Sequence, residues 1–246
     1  MSTANRITRP NLGMLGLEPL RAALEFTRLQ FMSTPSATPP GDGHAVVLFP
    51  GLGADSRYMT PLAKYCQKLG YVAYDWGRGR NTGPRGPVNG WLAPLATELE
   101  SMVSRHADAT FIGWSLGGIY ARELAKVMPD RVRQVITLGS PFARVTDSTN
   151  VAWLYELLRG SPAKISRDLA RSLREPPPVP TTSIYSRSDG VVAWQACVGD
   201  ACKHTENVEV TSSHLGLVWH PEVFKIVANR LAQPRGQWSP WLPLAA

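Results

Sequence analysis

Short apolar runs alternate with segments of helical periodicity along most of this 246-residue chain. The runs have the length of buried strands, whereas the segments between them repeat apolar residues every three or four positions. Strands that are separated by helices need crossover connections, which place them parallel in one sheet with helices on both faces. The pattern predicts an α/β fold with a mainly parallel sheet of about six or more strands, at 45–49, 71–74, 110–114, 135–138, 182–185 and 208–210.

Residues 17–32 precede this alternation and predict a helix with a broad apolar face that includes Leu20 and Leu24. We expect it to pack on the domain or on a partner. A membrane-surface helix is less favoured, because Glu18 and Glu25 interrupt any basic face. Residues 33–43 are rich in Pro, Ser, Thr and Gly and read as a linker. The predicted organisation is an N-terminal helix and linker over 1–43 and one α/β domain over 44–246.

Residues 144–180 break the alternation, because this interval is too long for a simple connection. Apolar residues at 151–158 and at 165–173 predict two short helices, and three consecutive prolines at 176–178 end the excursion. We expect a small helical cap insertion over the site at about 144–180. Two ordinary packing helices are the alternative.

Residues 113–118, Gly-Trp-Ser-Leu-Gly-Gly, lie where the predicted strand 110–114 gives way to a helical segment at 116–127. A sharp strand-to-helix turn lifts a serine hydroxyl above the sheet, and its crowding tolerates only small neighbours. Ser115 is therefore a candidate nucleophile. An ordinary turn serine is the alternative.

Two further residues supply the base and the acid that a serine nucleophile needs. Asp189 and His214 each follow a predicted strand, and the chain order Ser, Asp, His is that of the α/β-hydrolases. Parallel strands bring their carboxyl ends to one edge of the sheet, where ligand chemistry is placed. Asp147 is a second choice for the acid. A turn-capping role for Asp189 and a structural role for His214 are the alternatives.

These residues carry a resemblance that covers 45–231, which is similar to the lipase, esterase and thioesterase branch of the α/β-hydrolase superfamily. Residues 49–53, Phe-Pro-Gly-Leu-Gly, resemble the family's oxyanion turn, with Pro50 at the position often held by His. Residues 138–141, Leu-Gly-Ser-Pro, resemble a segment common after the sixth strand of lipases. The resemblance implies an oxyanion hole formed by the backbone N–H groups of Leu52 and Leu116, and hydrolytic chemistry through an acyl-enzyme.

The function expected from the triad is hydrolysis of carboxylic esters with lipid-like or medium-sized acyl groups. A thioesterase or acyltransferase with the same triad is the nearest alternative, and a non-catalytic ligand-binding protein of this fold is the alternative from another class. Trp114 and Trp153 are candidates to line an acyl pocket, with core packing as their default role. No cofactor and no metal site are expected.

The formal charge of +7 is compatible with an acidic carrier protein or an anionic lipid surface as a partner besides the ester substrate. Nucleic acid is not expected, because the basic residues are scattered and no reading motif is present. Arg78, Arg80 and Arg85 form one basic loop, for which a solvated surface is the favoured interpretation. Three cysteines argue against a disulfide framework, and the N-terminal residues are too polar for a signal-peptide core, so a cytoplasmic protein is expected.

Overall fold

The sheet contains six strands, and every neighbouring pair is parallel. A computed structural model describes residues 10–31, 40–84, 88–143, 167–200 and 202–242. The strand order is β2-β1-β3-β4-β5-β6, which confirms the predicted α/β architecture. The strands are β1 (Ala45–Phe49), β2 (Val72–Asp75), β3 (Ala109–Trp114), β4 (Val132–Leu138), β5 (Thr181–Tyr185) and β6 (Thr205–Glu209).

The predicted strand positions hold, with shifted ends where polar residues begin or finish a strand. The starts of β4 and β6 shift most, each by three residues, and the first three residues of β6, Thr-Glu-Asn, carry no apolar signal. This strand lies at the edge of the sheet and is partly exposed, so it needs few apolar side chains. Its predicted range of 208–210 therefore began too late.

Helices cover both faces of the sheet. They are α1 (Leu12–Gln30), α2 (Ser56–Lys68), α3 (Val88–Met102), α4 (Leu116–Val127), α5 (Arg167–Arg174) and α6 (Pro221–Leu231). Alternate residues of β1 enter opposite sides of the core: Val47 and Phe49 pack with α3 and α4, whereas Val46 and Leu48 pack with α2 and α6. Both layers of this core hold the strands rigid beneath the loops at their carboxyl ends.

Helix α5 lies in the described part of the predicted cap insertion, residues 167–180, and it packs on α4. Ser172 Oγ donates to Glu123 at 3.1 Å, and the Arg122 guanidinium donates to the carbonyl of Leu173 at 3.4 Å. The rest of the insertion, with Trp153 and the alternative acid Asp147, lies outside the described residues. The cap over the site therefore stays a prediction.

Helix α1 packs on the domain with its two carboxylates inward and most of its leucines outward. Glu18 and Glu25 are 2% and 6% exposed, whereas Leu20 and Leu24 are 59% and 55% exposed. Among the described helices, α1 included, none has both the length and the apolar character that crossing a bilayer requires.

Candidate active site

Ser115 sits on the strained turn between β3 and α4. Its φ of 53° and ψ of −121° make it the one non-glycine residue with positive φ in the described part of the chain. A Cβ on Gly113 would lie 2.4 Å from the Gly118 backbone, and one on Gly117 would lie 2.1 Å from the Phe49 carbonyl oxygen. Such close approaches admit only glycine, which explains the motif around the serine.

His214 approaches Ser115 across the end of β4. The Ser115 N–H donates to the Leu138 carbonyl at 2.8 Å, and a Cβ on the next residue, Gly139, would lie 3.1 Å from His214 Nδ1. The side chains of Ser115 and His214 are both 3% exposed. Among the described residues no hydrogen bond joins Ser115 Oγ to His214, a pairing that is often open in substrate-free sites.

Asp189 holds the imidazole of His214 through its Nδ1 atom. His214 Nδ1 and Asp189 Oδ2 are 2.6 Å apart, and both side chains are buried. The other oxygen of Asp189 accepts the N–H groups of Val191 and Val192 at 2.8 and 2.7 Å. Burial opposes protonation of the imidazole, but the charge and hydrogen bond of Asp189, with the charge of Glu18, outweigh it and raise the pKa of His214.

Trp114 supports the loop that carries His214. Its indole N–H donates to the His214 carbonyl at 3.0 Å, and its ring stacks on Tyr58 at 4.7 Å between centroids. Tyr58 in turn donates its hydroxyl to the Leu215 carbonyl at 2.9 Å. Trp114 is 5% exposed, and its place in the lining of an acyl pocket stays a prediction.

The turn after β1, where an oxyanion turn is predicted, packs closely on β3. A Cβ on Gly51 would lie 2.7 Å from the ring of Trp114, the last residue of that strand. Asn81 fixes both sides of Leu52: its carbonyl accepts the Gly53 N–H at 2.7 Å, and its side-chain amide donates to the Pro50 carbonyl at 2.7 Å. Pro50 therefore stabilises this turn through its backbone carbonyl, which accepts the hydrogen bond from Asn81.

The amide of Leu116 lies at the first position of α4, where helical N–H groups lack a partner within the helix. Leu52 and Leu116 remain the predicted donors to an oxyanion.

Three residues of α1 at this site were missed by the sequence analysis. Glu18 accepts the N–H groups of Gly190, His214 and Leu215 at 2.8, 3.0 and 3.0 Å. Glu25 accepts the Ser213 N–H and hydroxyl at 2.8 and 2.5 Å, and Arg21 donates to the Ser188 carbonyl at 2.6 Å. The spacing of seven between Glu18 and Glu25 places them two turns apart on one helix face, which was the available signal.

An open groove of about 1450 Å³ runs between α1 and α2 and reaches the turn after β1 at Gly53 and Ala54. Its apolar wall includes Phe26, Leu29 and Trp219. The charged residues that line it are four basic and one acidic: Arg57, Lys64, Lys68, Arg80 and Asp55.

The basic loop predicted at 78–85 is partly engaged in the structure. Arg78 pairs with Glu98 at 2.6 Å, and Arg80 donates to the Gly53 carbonyl at 2.7 Å. Arg85 lies outside the described residues.

Residues 46–245 match the model of the alpha/beta hydrolase family. Over 137 residues the chain is 29% identical to a pimeloyl-[acyl-carrier protein] methyl ester esterase of Legionella pneumophila, a match that covers 55% of this chain and 54% of that relative. The chain thus spans about half the length of this curated relative.

Solved structures share the fold at low sequence identity. Aspergillus fumigatus lipase B is 16% identical with a TM-score of 0.57, over 81% of this chain and 55% of that one. A thioesterase domain from the curacin biosynthetic pathway is 13% identical with a TM-score of 0.52, over 78% of this chain and 92% of that one.

Proposed function

Because the chain belongs to the alpha/beta hydrolase family, we propose that it is a serine hydrolase of carboxylic esters, with Ser115 as nucleophile, His214 as base and Asp189 as the orienting acid. The observation that carries the proposal is the buried His214–Asp189 pair, at 2.6 Å, across β4 from a serine held at positive φ. Each group is held by backbone contacts, so the arrangement needs little reorganisation before attack.

The reaction proceeds in two acyl-transfer steps. His214 Nε2 takes the Ser115 hydroxyl proton as Oγ attacks the ester carbonyl, and the N–H groups of Leu52 and Leu116 donate to the oxyanion. Collapse of the tetrahedral intermediate breaks the ester bond, and the alcohol leaves with the proton from His214. Water then attacks the acyl-enzyme, gives its proton to His214, and releases the acid as that proton returns to Ser115 Oγ.

The substrate class we propose is a lipid-like or medium-sized acyl ester, presented by an anionic carrier protein or lipid surface. The groove beside the oxyanion turn supports this class, because apolar side chains can take an acyl chain while its four basic residues outnumber one acid. The Legionella pneumophila relative is an esterase for an acyl-carrier-protein ester, which supports an acidic carrier as the partner. Trp114 and Trp153 are proposed to contact the acyl group.

The experiment that tests this function is hydrolysis of p-nitrophenyl esters from acetyl to palmitoyl by the parent protein, Ser115→Ala and the control Ser104→Ala. Ser104 is an exposed serine that precedes β3, whereas Ser115 follows the carboxyl end of the same strand. We expect turnover that falls by about 10³-fold or more in Ser115→Ala, because the nucleophile is lost, and stays unchanged in Ser104→Ala.

A serine-directed fluorophosphonate separates the alternatives. Labelling of Ser115 without turnover of any ester would overturn ester hydrolysis in favour of thioester cleavage or acyl transfer. A protein that neither turns over esters nor becomes labelled would instead be a ligand-binding member of the family.

A further inference from the structure

The inner face of α1 hydrogen-bonds to both loops that carry the proposed catalytic groups, the loop of Asp189 and the loop of His214. Glu18 binds the amide of Gly190, directly after Asp189, and the amides of His214 and Leu215. We propose that Glu18 is a positioning residue of the active site, a buried carboxylate that ties the acid-bearing loop to the base-bearing loop. The proposal extends the proposed function, on which its kinetic readout rests.

The contact depends on a group that only accepts hydrogen bonds. Three N–H donors converge on the two oxygens of Glu18, and an ionised carboxylate offers acceptor sites to all of them. An amide at this position would turn its own donors toward at least one of these N–H groups. Hydrogen bonds to a charged acceptor are also stronger than those between neutral groups.

Two glycines make room for the helix at these loops. A Cβ on Gly190 would lie 2.7 Å from the backbone of Met14 and Leu15, and one on Gly216 would lie 1.6 Å from a carboxylate oxygen of Glu25. The loops thus lack side chains where α1 approaches them. The helix precedes the family match, which begins at residue 46, so this support comes from outside the matched region.

The charge of Glu18 also acts on the base. Among the described residues, two charged groups face His214: Asp189, from the loop after β5, and Glu18, from α1. The cation of Arg21 lies 3.8 Å from Glu18. Glu25 reaches the same loop through Ser213. Burial lowers the pKa of His214, and the nearby charge and hydrogen bond of Asp189 raise it. The charge of Glu18 adds to this rise, whereas Glu25 does not contribute.

The test compares Glu18→Gln with Glu25→Gln. Without the charge at position 18, the pKa of His214 falls, so the acidic limb of the kcat/KM profile should move to lower pH, with a lower kcat at the optimum. Glu25→Gln should leave the limb in place. Glu18→Asp keeps the charge but shortens the reach, so it should lower kcat with a smaller movement of the limb.

NMR titration of the imidazole follows the pKa of His214 independently and needs no substrate. The His214→Asn variant assigns the imidazole signal. A lower pKa in Glu18→Gln without any esterase activity would support the positioning role while the proposed function fails. An unmoved limb and an unmoved His214 titration in a folded Glu18→Gln protein would overturn the proposal, as would an equal movement in Glu25→Gln. If Glu18→Gln does not fold, Glu18→Asp decides: full kcat despite the shortened side chain would overturn the proposal.

Discussion

At the scale of single residues, position relative to the strands distinguishes the candidate triad from groups of similar composition. Asp42 and His44 form a second carboxylate–imidazole pair at 2.5 Å, and His44 Nε2 lies 3.0 Å from the hydroxyl of Thr110. Thr110 is fully buried near the start of β3, so no substrate can reach it. Burial lowers the pKa of His44, and Arg133 adds to that effect. This second group is structural.

The glycines around Ser115 give a prediction about packing. Gly117→Ala would place its Cβ 2.1 Å from the Phe49 carbonyl oxygen, a contact between two backbones that cannot move apart cheaply. We expect a loss of about 2 kcal/mol in the free energy of unfolding, or more, together with loss of activity.

The control is Gly16→Ala on helix α1, where a Cβ meets no atom within 4 Å. This change should stabilise the protein by about 0.5 to 1 kcal/mol, because alanine favours a helix over glycine. Urea denaturation measures both, and a Gly117→Ala protein as stable as its parent would refute the packing argument.

As candidates, Ser115, Asp189 and His214 could be proposed from the sequence, because each follows an apolar strand with a local motif; their catalytic roles stay predictions. The role of Glu18 could not be predicted from the sequence, because the role of a carboxylate on an apolar helix depends on which face of the helix packs on the domain. Periodicity shows the two faces but assumes that the apolar one is buried. In α1 that assumption fails, since carboxylates satisfy the loop amides and Leu20 and Leu24 are left exposed.

At the scale of elements, one ion pair joins the edge of the sheet to the last helix. Glu206 of β6 accepts from Arg230 of α6 at 2.7 Å, from the hydroxyl of Thr182 at 2.7 Å, and from the Trp241 N–H at 2.6 Å. The Arg230 side chain is 1% exposed, so its charge depends on this partner.

Removing one partner of this pair should be costly. Glu206→Ala leaves a buried guanidinium without its carboxylate, and we expect a loss of about 3 kcal/mol in the free energy of unfolding. Glu209→Ala on the same strand is the matched control, because its partner Arg187 is 57% exposed and water screens such a pair. Similar urea midpoints for the two variants would contradict this account.

At the scale of the whole molecule, stability depends on histidines that the fold prefers to keep neutral. His220 accepts the Glu222 N–H at 3.3 Å at the start of α6, and burial lowers its pKa, against the charges of Glu25 and Glu222. A folded-state pKa below the unfolded value contributes stability above about pH 6.5, which is lost as the pH falls further.

We therefore expect His220→Asn to lose less stability than the parent protein between pH 7.5 and 5.5. Asparagine keeps a helix-capping acceptor but does not titrate. The comparison cancels the contributions of His44 and His214, the second of which has the opposite sign because its pKa is raised. Thermal unfolding across the pH series measures the difference, and parallel curves for both proteins would exclude this role of His220.

The hydrogen bonds between α1 and the loops of Asp189 and His214 also constrain the order in which the chain folds. These contacts join residues from 167 to 197 positions apart, between the first helix and the last quarter of the chain. Closing so long a loop costs entropy that local contacts do not, and on the ribosome the helix emerges long before its binding partners. The contacts of α1 with the loops at 188–190 and 213–215 therefore form only after nearly two hundred further residues have been synthesised.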